Sequence, residues 1–180
     1  HDFNPPLYYI FLHFWILIFG KSDELLRLLS FFFHLGSVMV SYSFGKKLFS
    51  RPFAFLVAVF TFFNPMLLYY SFEMRMYSLY AFAAFSSIYF LYTRQWKKYF
   101  LATIAGLYTH SFFPLILFSY IFMYRFIPKM KKRDVFKICI PLLFYIPWLF
   151  ILFNQFLRSA NSWIFPVDLQ LIKSVLGNLF

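Results

Sequence analysis

Apolar residues run through this chain in long blocks, and the polar residues that interrupt them are bunched into short connections. The block from Leu7 to Phe19 is broken only by His13 and bounded by Pro5-Pro6 and Gly20-Lys21. It is too short for the ~20 residues that ~30 Å of hydrocarbon requires, so the pattern predicts a helix lying in a membrane interface. Residues 25–45 make a full span, in which Arg27, Ser30, His34, Ser37 and Ser41 recur at steps of three and four and share one helix face. A polar stripe in a membrane helix faces other helices or a water-filled cavity. For His34, interhelical hydrogen bonding and a ligand role both stay open, and Arg27 at the end of the span is the better ligand candidate.

Residues 53–70 return across the membrane, with Asn64-Pro65 set to kink the helix. Residues 77–93 cross once more. Residues 99–127 begin and end beside basic residues, which one straight span would place on opposite sides. They therefore read as a hairpin of two short segments turning at Thr109-His110-Ser111, with a single long helix as the alternative. Residues 135–153, carrying Pro141 and Pro147, cross again, and an outer loop at 154–168 precedes another apolar stretch. The expected fold is all-α: a polytopic transmembrane helical bundle, with residues 1–24 forming an outer loop and its interfacial helix.

Composition agrees with a lipid-facing chain. Of the 180 residues 62% are hydrophobic, mean hydropathy is +0.69, and only 13% are charged, about half the usual share for a soluble domain. A soluble core of this size could not hide 31 Phe and 14 Tyr. The sequence begins at His1 without an initiator Met or a visible signal peptide and ends inside an apolar run. It is expected to be an internal piece of a longer protein.

The net charge of +11 changes the picture through its distribution. Lys46, Lys47 and Arg51 form one cluster, Arg94, Lys97 and Lys98 a second, and Arg125, Lys129, Lys131, Lys132, Arg133 and Lys137 a third. These connections take twelve of the 17 basic residues, while Asp2, Asp23, Glu24, Glu73 and Asp168 lie outside them. That is the positive-inside pattern: basic loops cytoplasmic, remaining loops on the outer face. The charge reports membrane topology and not a nucleic-acid partner. The lone Cys139, in an apolar run, reads as a small buried hydrophobe.

The candidate chemistry sits in Tyr69-Tyr70-Ser71-Phe72-Glu73-Met74-Arg75-Met76-Tyr77-Ser78, where a carboxylate and a guanidinium stand two residues apart between two apolar blocks. Charges near membrane depth pair or line a functional cavity. Counting crossings places this loop, the N-terminal Asp2-Phe3-Asn4-Pro5-Pro6-Leu7-Tyr8-Tyr9 and Thr109-His110 on one outer surface. That surface suits a ligand with an anionic head and a lipid tail, since an Arg grips phosphate with its fork of donors. A structural Glu73–Arg75 or Glu73–Arg27 ion pair remains the plainer alternative, as does an exposed cap for Asp2. No pair of histidines has metal-ligand spacing on one element, and a divalent metal is neither implied nor excluded.

Several segments resemble a known family. Asp2 through Tyr9, then His13-Phe14-Trp15, then Phe19-Gly20-Lys21-Ser22-Asp23-Glu24 with Leu26-Arg27-Leu28-Leu29-Ser30, look like the membrane glycosyltransferases of the GT-C class. Gly45-Lys46-Lys47-Leu48-Phe49, Tyr70 through Tyr77, and Tyr108-Thr109-His110-Ser111-Phe112 continue the likeness in the expected order. The chain is similar to the dolichyl-phosphate-mannose-protein mannosyltransferase-like group, which includes bacterial aminoarabinose and Rgt-type galacturonosyl transferases. The resemblance covers nearly the whole chain.

It implies an integral multi-pass protein of the bacterial cytoplasmic membrane. Such a protein transfers a sugar from a polyprenyl-phosphate donor to a protein, lipid or glycan acceptor on the outer face. Arg75, Arg27 and His110 would contact the phosphate or acceptor, with Asn4, Tyr8 and Tyr77 bordering the substrate. Glu73 and Asp2 are the candidate catalytic carboxylates. The family's main acidic residue lies upstream of Pro-Pro-Leu-Tyr-Tyr, before His1, and Asp2 matches only a later acidic position. Asn4 stands where the family has His, and Phe72 where a polar residue precedes the Glu. A flippase or other transporter of lipid-linked glycans is the rival reading.

Overall fold

A computed structural model describes residues 4–127 and 130–158 of the 180, without the side chains of Phe156 and Arg158. Every regular element among the described residues is helical. The chain divides into two compact units, one ending at Trp148 and one beginning at Leu149. Of the second, only the part of a helix up to Arg158 is described.

Helix α1 covers Leu7–Phe19 and α2 covers Asp23–Leu48. The buried face of α2 is made of Leu29, Ser30, His34, Ser37, Ser41 and Gly45, the polar stripe seen in its sequence. Ser37 and Ser41 satisfy themselves on their own backbone, donating to Phe33 O (3.1 Å) and Val38 O (2.8 Å). Small residues on this face let neighbours approach closely. A Cβ on Gly45 would stand 3.0 Å from Ala54 Cα on α3, which covers Arg51–Phe62.

At Asn64-Pro65 the chain bends by 57° into α4, Pro65–Ser71. The proline has no N–H to continue the α3 ladder. The Asn64 carboxamide caps the new helix by accepting from Leu67 N (3.1 Å). Helix α5, Tyr77–Tyr92, runs parallel to α2, with Phe33 beside Phe82 and Phe44 beside Tyr89 and Tyr92.

Residues 96–123 form two helices, α6 (Trp96–Leu107) and α7 (Phe113–Met123), separated by a turn. Gly106 makes the turn possible. A Cβ there would lie 2.0 Å from Phe113 Cε2, inside the ring that folds back over α6. Helix α7 runs parallel to α5, fixed by the Ser87–Tyr120 hydroxyl pair (2.7 Å) and the edge contact of Tyr80 with Phe113. A 3₁₀ turn at Tyr124–Phe126 follows. Helix α8 (Lys132–Leu143) lies along α6, where the Tyr99 hydroxyl donates to Ile138 O (3.0 Å) and the Tyr108 hydroxyl to Phe144 O (2.8 Å). The ladder is interrupted at 144–145 before α9, Ile146–Arg158.

Among the described residues one helix, α2, is long and apolar enough to cross a membrane, or up to three spans if each bent pair, α3–α4 and α8–α9, counts as one. Helix α5 has 16 residues, about 24 Å of rise, which is less than the ~30 Å of hydrocarbon. Large apolar side chains stand outward throughout, Phe60, Leu101, Phe126 and Phe136 being 73% to 81% exposed. The basic connections gather at one end of the helices and the segments 72–76 and 108–112 at the other.

Candidate functional site

The end opposite the basic connections is assembled by three ties. The Leu7 N–H donates to Tyr108 O (3.0 Å), joining the N-terminal segment to the α6–α7 turn. Arg27 Nη1 donates to Phe72 O (3.2 Å), joining the start of α2 to the α4–α5 connection. His110 packs against the rings of Tyr77 (5.9 Å) and Tyr80 (5.1 Å), joining the turn to α5.

Cavities lined by described residues open here. The first, of about 460 Å³, is lined by Arg27, Tyr69, Phe72, Glu73, Met74 and Arg75. The Tyr69 hydroxyl meets the Glu73 carboxylate, yet Glu73 Oε2 is buried without a hydrogen-bond partner. The only ion pairs among the described residues are those of Asp134, so Glu73 is paired with neither Arg27 nor Arg75. The structural ion pair that the sequence allows here is therefore absent. Arg75 instead lays its guanidinium over the Tyr77 ring at 5.5 Å.

That ring also lines the second cavity, of about 360 Å³. Its walls are mostly apolar, from Met66, Leu67, Tyr70, Tyr77, Tyr80, Ala81 and Phe112, with His34, Ser37, Ser78 and His110 as the polar groups. His110 Nδ1 accepts from Phe112 N (3.2 Å), so in the neutral imidazole the proton sits on Nε2. His34 is 2% exposed, and its Nε2 lies 3.2 Å from Phe62 O, the interhelical role.

Tyr8, which the resemblance puts at the substrate, is fully buried with Leu29, Met76 and Leu79, its hydroxyl 2.9 Å from Ser30 Oγ. Helix α1 turns that face inward because Tyr8, Leu12 and Trp15 recur at its turns. Asn4 is half-buried and lines neither cavity. Asp2 and the loop 154–168, apart from its first residues, lie outside the described residues.

Sequence reasoning did not single out Tyr80, although its i+3 spacing from Tyr77 points it to the same face. It also passed over Asp134, the one acidic residue inside a basic cluster. Asp134 is 1% exposed and is held by Arg94 Nη2 (3.2 Å) and Lys137 Nζ (3.1 Å). Its Oδ2 also accepts from Lys131 N, capping α8. The Lys137 hydrogen bond, with the Lys131 N–H and the charges of Lys137 and Arg94, holds its carboxyl below the usual carboxylate range against the opposing effect of burial. Arg94 reaches it from a left-handed backbone position, φ 58°, at the C-terminus of α5. There Gln95 N bonds Phe90 O and Arg94 N bonds Leu91 O, the Schellman pattern that glycine usually completes.

No group of three His, Cys, Asp or Glu side chains among the described residues is placed to hold a metal ion. In comparisons with protein families, with curated proteins and with solved structures, nothing matches this chain.

Proposed function

We propose that this chain is part of a polytopic membrane glycosyltransferase of the GT-C kind, moving a sugar from a polyprenyl-phosphate donor to an acceptor hydroxyl on the face opposite its basic connections. The observation that carries the reading is the first cavity. It holds two guanidinium groups with no carboxylate pairing them, beside a buried carboxylate oxygen with no partner. The adjoining aromatic and aliphatic cavity offers the surface that a prenyl chain or a sugar ring would cover. Outward-facing Phe and Leu side chains on the helices support a lipid environment.

In the reaction the bond from sugar C1 to phosphate oxygen breaks as the acceptor oxygen bonds C1. The phosphate departs as an anion whose charge Arg75 and Arg27 neutralise. Glu73 is the described carboxylate that can take the acceptor proton through Oε2. His110, at the same end of the helices, is a further contact for phosphate or acceptor. The sequence resemblance supplies the donor class, and the acceptor is a protein, lipid or glycan.

The transporter or flippase reading gains one observation. Two helices that start at the basic end, α3 and α8, are both interrupted near the other end, at 63–64 and 144–145. Paired broken helices are a transporter feature. They run in the same direction, which fits a parallel repeat better than an inverted one.

The deciding experiment incubates the intact protein in proteoliposomes with polyprenyl-phosphate sugars and identifies products by mass spectrometry. A new glycoside carries the enzyme reading; movement of unaltered lipid-linked sugar across the bilayer carries the other. Topology is checked in a Cys139→Ser background. Met74→Cys, at a position 37% exposed, should react with an impermeant maleimide only from outside, and Lys97→Cys only from inside. The reverse labelling sinks the assignment of faces.

A further inference from the structure

We propose that the exposed face of α8 at the basic end binds the headgroups of anionic phospholipid in the adjacent leaflet. The helix is sharply two-faced. Asp134, Ile138 and Pro141, at steps of four and three, are buried against the protein, while Lys132, Arg133 and Phe136 are exposed. Phe136, 73% exposed, lies four residues after Lys132 and three after Arg133, so the ring stands beside both cations.

The charge on this face is uncancelled. Its one nearby carboxylate, Asp134, is turned inward and occupied by Arg94 and Lys137. The other described acidic residues, Asp23, Glu24 and Glu73, belong to the far end of the helices. Exposed Lys97 and Lys98 begin α6, which packs along α8 through the Tyr99–Ile138 hydrogen bond, and they extend the same basic surface.

An aromatic ring flanked by cations matches a bilayer interface. The ring enters the boundary between headgroups and acyl chains while Lys and Arg extend their charges to the phosphates. A dissolved polyanion would meet the cations and leave Phe136 in water, so the lipid is the occupant that uses the whole face. Juxtamembrane cations of this kind each add to affinity for anionic lipid and little to affinity for zwitterionic lipid. The inference rests on the membrane reading above, and not on glycosyl transfer.

Native mass spectrometry of the full chain in detergent, titrated with phosphatidylglycerol or phosphatidylcholine of the same acyl chains, tests it. The expected result is retention of phosphatidylglycerol over phosphatidylcholine. Lys132→Gln with Arg133→Gln should weaken phosphatidylglycerol roughly 30-fold and leave phosphatidylcholine unchanged. The charge-preserving pair Lys132→Arg with Arg133→Lys should keep the preference, which separates charge from misfolding. Phe136→Ala should weaken both lipids alike. Equal retention of the two lipids by the unaltered chain overturns the proposal alone, and retention of neither overturns the membrane reading with it. The assignment to α8 is also overturned if Lys46→Gln with Lys47→Gln, at the same end on α2, removes as much of the preference.

Discussion

Two carboxylates stand at opposite ends of this helical assembly, each with two cations near it, and they are treated in opposite ways. Asp134 accepts from Arg94, Lys137 and the Lys131 N–H, so that both its oxygens are occupied. Glu73 shares a cavity with Arg27 and Arg75 but pairs with neither, and its buried Oε2 has no partner. Leaving a buried polar atom unpaired costs about 1–3 kcal/mol, and structures rarely keep one without a reason. The first arrangement holds helices together. The second leaves hydrogen-bonding capacity that the described residues do not use.

The largest effect that bears on this contrast is on activity. On the proposed function, Arg75→Ala should lower sugar transfer by roughly 10²–10³-fold with no change in thermal unfolding, because the side chain is exposed. An equal loss of stability would make the two ends alike and remove the functional reading. Next comes Gly106→Ala, which forces the Phe113 ring off α6 at a cost of about 1–3 kcal/mol. Phe113→Leu in the same chain should recover most of it, measured by thermal unfolding in detergent.

Charge removal then tests the contrast directly. Asp134→Asn should lower the unfolding midpoint, whereas Glu73→Gln should leave it unchanged or raise it. The Asp134 carboxyl is depressed in the folded state, so its contribution is fully present above about pH 4 and is lost as pH falls through the lower folded value. An acid titration of stability should therefore flatten in Asp134→Asn. The smallest effect is expected from Tyr8→Phe, which removes the hydroxyl pair with Ser30 for about 1 kcal/mol and leaves transfer intact. A lost transfer activity with unchanged stability would return Tyr8 to the substrate.

Much of the local architecture was legible because its causes are local. Pro5-Pro6 and Gly20 bracket α1, Asn64-Pro65 breaks a helix, and the three-and-four spacing of Ser30, His34, Ser37 and Ser41 marks a buried face. Pairings across long stretches of chain were not legible. Arg94 meets Asp134 over 40 residues, and nothing in the local pattern shows that the only acid in a basic cluster turns inward. The site was legible in part for the same reason. Glu73 and Arg75 announce themselves as charges between apolar blocks, but nothing local shows that Arg75 lies over the Tyr77 ring and Arg27 bonds the Phe72 carbonyl instead of Glu73. The burial of Tyr8 against α2 was not legible, because an aromatic beside prolines looks the same whether its face is turned to a ligand or to a helix.

The close approach of Gly45 to Ala54 has a consequence for how the protein is made. Helices α2 and α3 are joined by two residues, Phe49 and Ser50, so closing this pair costs little chain entropy once Phe62 has been synthesised. The pair has apolar arms and a tip carrying Lys46, Lys47 and Arg51, and such a tip resists translocation. On the membrane reading the pair can insert as one hairpin. A bulky residue at Gly45 would therefore reduce the quantity of protein delivered to the membrane more than the activity of each molecule that arrives, a difference that yield compared with specific activity would show.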